Sequence, residues 1–153
     1  MVDVGEGGGV GSRETLGGHR SGSRAEPVRF VVDSTFVIDH LRGVPAAVDQ
    51  MASIFENGDE PYVTEVVVCE VRAGLRPEDE RHLVALLEPI EFVQPGPQHA
   101  LTAGRWRAEL RARGRTLSVA DSLIATAADS LGASVLTRNL RDFALTPVRV
   151  ETY

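Results

Sequence analysis

Val28-Arg29-Phe30-Val31-Val32-Asp33-Ser34-Thr35 is an apolar run that stops at a carboxylate followed by two hydroxyl residues. Near-continuous Val and Phe content marks a strand buried on both faces, as in parallel sheets covered by helices. Sheets of that kind bind ligands in the crevice outside the carboxyl ends of their strands, so the run predicts a first strand that delivers Asp33 to this rim. One carboxylate alone performs no identifiable chemistry. Its meaning depends on what else the chain brings to the same edge.

Outward from this run, short apolar segments alternate with amphipathic ones. Ser34 is placed to cap a helix through Leu41, with Gly43 as its stop. Pro45 suits the first turn of a second helix, 46–55, ended by Asn57-Gly58. Tyr62-Val63 reads as a second strand. Thr64 is placed to cap a helix running to Leu75, against the strand propensity of Val66-Val67-Val68. The acids of Pro77-Glu78-Asp79-Glu80 favour a helix start, running to about Leu87. Residues 90–93 read as a third strand and 98–112 as a long helix. Ser118 is placed to cap helix 119–131, whose buried stripe includes Leu123, Ile124 and Ala127. Fourth and fifth strands follow at 133–136 and 148–150. Strands separated by helices predict an α/β fold with right-handed crossovers and a mostly parallel sheet.

The chain has 153 residues, room for one domain with one core. Residues 1–27 hold 8 of its 15 glycines and show no helical or strand period. This segment is expected to be a disordered extension, with the folded domain at 28–153. Cys69 is the one cysteine, which excludes an internal disulfide and a cysteine-based zinc cluster; its apolar setting predicts a buried structural thiol. No stretch reaches the roughly 18 to 20 apolar residues of a membrane span, and no signal-peptide core is present, so a cytoplasmic protein is expected. All 16 basic residues are arginine. Without lysine there is no Schiff-base chemistry and no phosphate-binding loop of the lysine type. A formal net charge of -6 argues against indiscriminate nucleic-acid binding, so any such partner must meet a local basic patch.

With 22 acidic residues in the chain, position is the filter. Asp33 lies at the end of strand one, Glu70 on the helix after strand two in an apolar surround, Asp121 in the first turn of its helix, and Asp142 in the segment after strand four. Each has a plainer explanation. Asp33 could cap the following helix, Glu70 could pair with Arg72 or Arg76, Asp121 could serve the helix dipole, and Asp142 could cap a loop. If they converge, two carboxylates about 4 Å apart repel by roughly 4 kcal/mol at an effective dielectric of about 20. They must then take up protons or a cation, and an all-oxygen site suits Mg²⁺ or Mn²⁺. Metal-assisted phosphodiester hydrolysis is the reaction class favoured by such a site.

The runs Val32-Asp33-Ser34-Thr35-Phe36-Val37-Ile38-Asp39-His40-Leu41-Arg42-Gly43, Glu70 with Gly74, Ala120-Asp121-Ser122-Leu123-Ile124-Ala125-Thr126-Ala127 and Leu136-Thr137-Arg138-Asn139-Leu140-Arg141-Asp142-Phe143 resemble a PIN domain. More narrowly, residues 28–153 resemble the VapC toxins of bacterial toxin–antitoxin pairs. The resemblance implies a three-layer α/β/α fold and a Mg²⁺- or Mn²⁺-dependent endoribonuclease. Asp33, Glu70, Asp121 and Asp142 match the family's acidic quartet as catalytic and metal-binding residues, and Asn139 and Thr137 match its polar neighbours. Ser34 stands where the family often has threonine and keeps the hydroxyl. Also implied are an RNA substrate (tRNA, rRNA or mRNA), a homodimer, and a cognate VapB-like antitoxin whose C-terminal segment occupies the groove.

Residues 104–115 carry five arginines and one acid, including Arg111 and Arg113. This stretch reads either as a solvated helix face making salt bridges or as a phosphate-tracking stripe leading to Asp121, helped by Arg138 and Arg141. Trp106 among Leu101, Ala108 and Leu110 is expected in the core rather than stacked on a base. Asp39 reads as an ordinary helix-face residue, and the four histidines lack metal-ligand spacing. Two other classes compete. A PIN-like RNA- or protein-binding module without catalysis is disfavoured by the intact acidic set. A phosphotransferase using Asp33 as nucleophile lacks both a lysine and an aspartate at position 35.

Overall fold

The computed structural model describes residues 26–153, so the expected disordered extension lies outside the described residues except for its last two positions. The described chain runs β1 (Arg29–Val32), α1 (Ser34–Leu41), α2 (Pro45–Glu56), β2 (Glu60–Thr64), α3 (Glu65–Ala73), a 3-10 turn (Pro77–Asp79), α4 (Glu80–Leu87), β3 (Glu91–Val93), α5 (Pro97–Ala112), α6 (Val119–Leu131), β4 (Ser134–Leu136), α7 (Leu140–Phe143) and β5 (Val150–Glu151). The strands form one sheet in the order β3-β2-β1-β4-β5, and every pairing is parallel. β1 is its centre, with Val31 opposite Tyr62 of β2 on one side and Val135 of β4 on the other. Phe30, Val31 and Val32 are all buried, as the opening run requires.

The chain leaves β1 toward β2 and β3, then crosses back to β4 and β5 on the other side. Right-handed crossovers assign α1 to α4 to one face of the sheet and α5 and α6 to the other. Loops after β1 and β4 therefore diverge, opening a crevice at the carboxyl edge between the two strands. α6 packs on β1 and β4 and against α3, which brings the helices of Asp121 and Glu70 toward this edge.

Most expected elements are present, and the departures have local reasons. Thr64 and Ser118 cap their helices as expected, accepting from the backbone N–H groups of Val67 at 3.4 Å and Asp121 at 3.0 Å. Ser34 does not cap α1; it is the first helical residue, and Asp33 stands at the cap position. The second strand is longer than Tyr62-Val63 because its extent follows β1, whose register pairs Arg29 with Glu60. α3 stops at Ala73 with Gly74 as its cap, short of Leu75. The segment carrying Asp142 is the short helix α7 rather than a loop.

Cys69 is exposed, contrary to the expected buried thiol. α3 buries Val67 and Val71, four residues apart on one face. Cys69 falls midway between them and so turns to the opposite side of the helix. The run of apolar residues had hidden a 3.6-residue period.

Phe36 is fully buried and meets Tyr153 edge to face, with ring centroids 5.0 Å apart. Replacing Phe36 by Ala is expected to cost about 3 to 5 kcal/mol, read as a fall in the midpoint of urea unfolding without a change in its slope.

Candidate active site

Asp33 continues β1, its N–H donating to the Leu136 carbonyl of β4 at 3.0 Å. Although it occupies the cap position of α1, its side chain accepts no backbone N–H there, so capping does not explain it. Its carboxylate is 3% exposed and is surrounded by hydroxyl donors. Thr137 donates from Oγ1 to Oδ2 at 2.7 Å, Thr35 from Oγ1 to Oδ2 at 3.1 Å, and Ser34 from Oγ to Oδ1 at 3.3 Å. The two threonine hydroxyls lie 3.2 Å apart. Each also accepts a backbone N–H, from Arg138 at 3.2 Å to Thr35 and from Asn139 at 2.8 Å to Thr137. With the Thr137 proton on Asp33, the single Thr35 proton is shared between Asp33 and Thr137. Neutral donors thus fix the carboxylate without cancelling its charge.

Asp142 on α7 is half-buried and accepts from Asn139 Nδ2 at 2.7 Å. Asp121 is half-buried in the first turn of α6. Its pKa is pushed up to about 6, chiefly by burial and further by the negative charges of Asp33, Asp142 and Glu70, against the opposing pull of a hydrogen bond with Ser118. The charges of the three other expected acids therefore all reach the Asp121 carboxyl. Glu70 is exposed on α3 rather than set in an apolar surround. It also lacks the arginine pairing weighed for it: Arg72 pairs with Glu80 at 3.1 Å and Arg76 with Asp79 at 2.9 Å.

Among the described residues, no three Asp, Glu, His or Cys side chains are gathered closely enough to ligate one ion as they stand. As placed, the four carboxylates do not form a tight cage. Their oxygen-only chemistry fits a hard divalent cation such as Mg²⁺, which is held by one or two carboxylates and keeps several waters. Ser34, Thr137 and Asn139 are engaged with the acids themselves. Arg111 and Arg113, in the last turn of α5 and just after it, are exposed, and neither guanidinium bonds to a described residue. Trp106 packs partly buried against the core, as expected.

One constellation escaped the sequence. Asp39 is 2% exposed, accepts from the Tyr153 hydroxyl at 2.6 Å, and pairs with Arg138 Nε at 3.0 Å. Burial and this hydrogen bond push the Tyr153 phenol up from its ordinary value. Arg138, expected to assist along an RNA track, is instead tied to α1, and it holds the loop that carries Thr137 and Asn139. The available signal was helical spacing: Asp39 stands three residues after buried Phe36, on the core-facing stripe.

Because the folded chain binds the Asp121 proton more tightly than the unfolded chain, this group lowers stability as pH rises from about 4 to about 6, and fully above that. Allowing for solvent screening of a half-buried group, Asp121→Asn is expected to stabilise the chain at neutral pH by about 1 kcal/mol. Thermal melts should show the gain at pH 7 and its disappearance below about pH 4.

The PIN domain family pattern matches residues 30–147. Ribonuclease VapC19 of Mycobacterium tuberculosis is 33% identical over 117 residues, covering 76% of this chain and 94% of that protein. The tRNA(fMet)-specific endonuclease VapC of Salmonella typhimurium is 26% identical over 132 residues, covering 82% and 98%. In fold, the chain matches VapBC2 from Rickettsia felis bound to a DNA fragment of its promoter, with a TM-score of 0.73 at 17% identity, covering 82% of this chain and 99% of that one. Parallel fold and similarity over most of its length agree: the chain belongs to the PIN domain family and is a homologue of the VapC ribonuclease toxins.

Proposed function

We propose that residues 28–153 form a metal-dependent endoribonuclease that acts as the toxin of a toxin–antitoxin pair. The observation that carries this reading is the buried Asp33 carboxylate at the carboxyl end of the central strand, held by three hydroxyls in a chain of the PIN domain family. Asp33, Glu70, Asp121 and Asp142 would hold Mg²⁺ or Mn²⁺, and such an ion supplies Lewis-acid stabilisation of the negative charge that develops as water displaces one oxygen of an RNA phosphodiester. Asp33 is the rigid member, locked by three hydroxyls. Asn139 orients the Asp142 carboxylate through Nδ2. With its pKa pushed up to about 6, Asp121 would have to lose its proton to serve as a ligand, so cation binding is expected to weaken as pH falls through that range.

An antitoxin partner is supported by the company the fold keeps, since its structural neighbours include chains from toxin–antitoxin complexes of Salmonella typhimurium and Klebsiella pneumoniae. A cavity of about 400 Å³, lined by Ile38, Leu41, Val71 and Leu75 together with Arg42, Arg76, Asp79 and His82, offers a groove of mixed polarity for a partner segment.

The purified chain, freed of antitoxin, is expected to cleave RNA with Mg²⁺ or Mn²⁺ and to stop when chelator is added. Chelator-insensitive cleavage, or full activity after Asp121→Asn, would overturn the reading. Thr137→Val, which removes the shortest bond to Asp33, is expected to reduce metal affinity or activity about 10- to 100-fold. Mg²⁺ at about 100 times its Kd should stabilise the chain by about 2.7 kcal/mol near pH 7.5, and by less at pH 5.

A further inference from the structure

The chain's charge is unevenly neutralised. Arg29, Arg72, Arg76 and Arg138 each pair with an acid. Arg115 and Arg141 do not: both are exposed, and neither guanidinium bonds to a described residue. They meet in a cavity of about 340 Å³, lined also by Gly114, Thr116, Asp142 and Leu145. Two arginines line this cavity against one carboxylate, Asp142, which accepts from Asn139; the excess positive charge suits an anion. The cavity shares Asp142 with the acidic site. Its Arg115-Thr116 side belongs to the short connection from α5 to α6, just before the turn that carries Asp121. Leu145 also walls a neighbouring cavity lined by Trp106, Glu109 and Arg113.

We propose that Arg115 and Arg141, with the Thr116 hydroxyl beside them, bind the RNA phosphate adjacent to the one cleaved, and so set the register of the strand across the acids. The proposal rests on the ribonuclease reading for its ligand. An acidic strand approaching an acidic crevice is repelled; a phosphate anchored one position away offsets that repulsion and leaves the scissile group over Asp33 and Asp121. The forked guanidinium suits phosphate oxygens, and each phosphate neutralised on a single strand contributes about 0.7 to the slope of log affinity against log salt.

The test measures binding of a short mixed-sequence oligoribonucleotide to the full chain in chelator, across a range of salt, for the unaltered chain and for Arg115→Gln with Arg141→Gln. Both side chains are exposed and unpaired, so the variant's melting temperature should be unchanged. The expected result is about a tenfold loss of affinity at low salt and a slope shallower by about 0.7. Arg149→Gln serves as the control, because Arg149 immediately precedes β5 and so lies at the opposite edge of the sheet; it should alter neither quantity. Unchanged affinity and slope in the double variant, while the unaltered chain cleaves RNA, would overturn the subsite and leave the ribonuclease reading intact. An equal loss from Arg149→Gln would also overturn it, by reducing the effect to net charge. If the double variant instead loses affinity only for the antitoxin, the cavity belongs to that protein and the RNA assignment falls. Failure of the unaltered chain to bind or cut RNA would remove both readings together.

Discussion

The hydrogen bond from Thr137 to Asp33 joins the ends of β1 and β4, the two strands between which the chain reverses its direction across the sheet. A parallel sheet opens at such a point because the loops on either side leave in opposite directions. Here the opening is bridged by hydroxyls, Thr137 from the loop after β4 and Thr35 from the first turn of α1, both aimed at one carboxylate oxygen. Asp33 therefore has a fixed position without a fixed countercharge. A lysine or arginine in place of these hydroxyls would neutralise the carboxylate; hydroxyls orient it and leave its charge available to a cation.

Behind that bridge stands a second layer. Asp39 joins α1 to Arg138 of the loop after β4 and to Tyr153 at the end of the chain, while Tyr153 lies edge-on to Phe36. A buried aspartate is costly when unpaired, and this one has both a charged and a neutral donor. The layer fixes the loop from which Thr137 and Asn139 reach the acids. Tight placement of Asp33 and Asp142 is thus a property of the C-terminal residue as well as of the strands.

The strand 28–32 and the positions of Asp33, Asp121 and Asp142 were legible because each depends on local rules: an apolar run, a capping serine, a segment following a strand. The parallel sheet followed from alternation. Less legible was anything decided by which way a helix faces. Cys69 and Glu70 looked buried because three valines precede them, yet only one of these, Val67, lies fully on the inner face of α3. Asp39 looked like a surface charge because most helical aspartates are, and its partners are Arg138 and a tyrosine at the far end of the chain. Such contacts are set by tertiary packing, which no local period encodes.

If an acidic chain is to handle an acidic polymer, it must localise its positive charge, and composition alone does not say where. Pairing does. The arginines bordering α3 and α4 are neutralised by Glu80, Glu78 and Asp79, and that of β1 by Glu60. Around the end of α5 the only acid within the stretch 104–115 is Glu109, and Arg111, Arg113 and Arg115 keep their charge. They retain it next to the helix that carries Asp121, on the side of the crevice opposite Glu70 and α3. On the ribonuclease reading, a polyanion would be held by these arginines while a cation is held by the carboxylates, and the two bindings would favour each other through the phosphate between them.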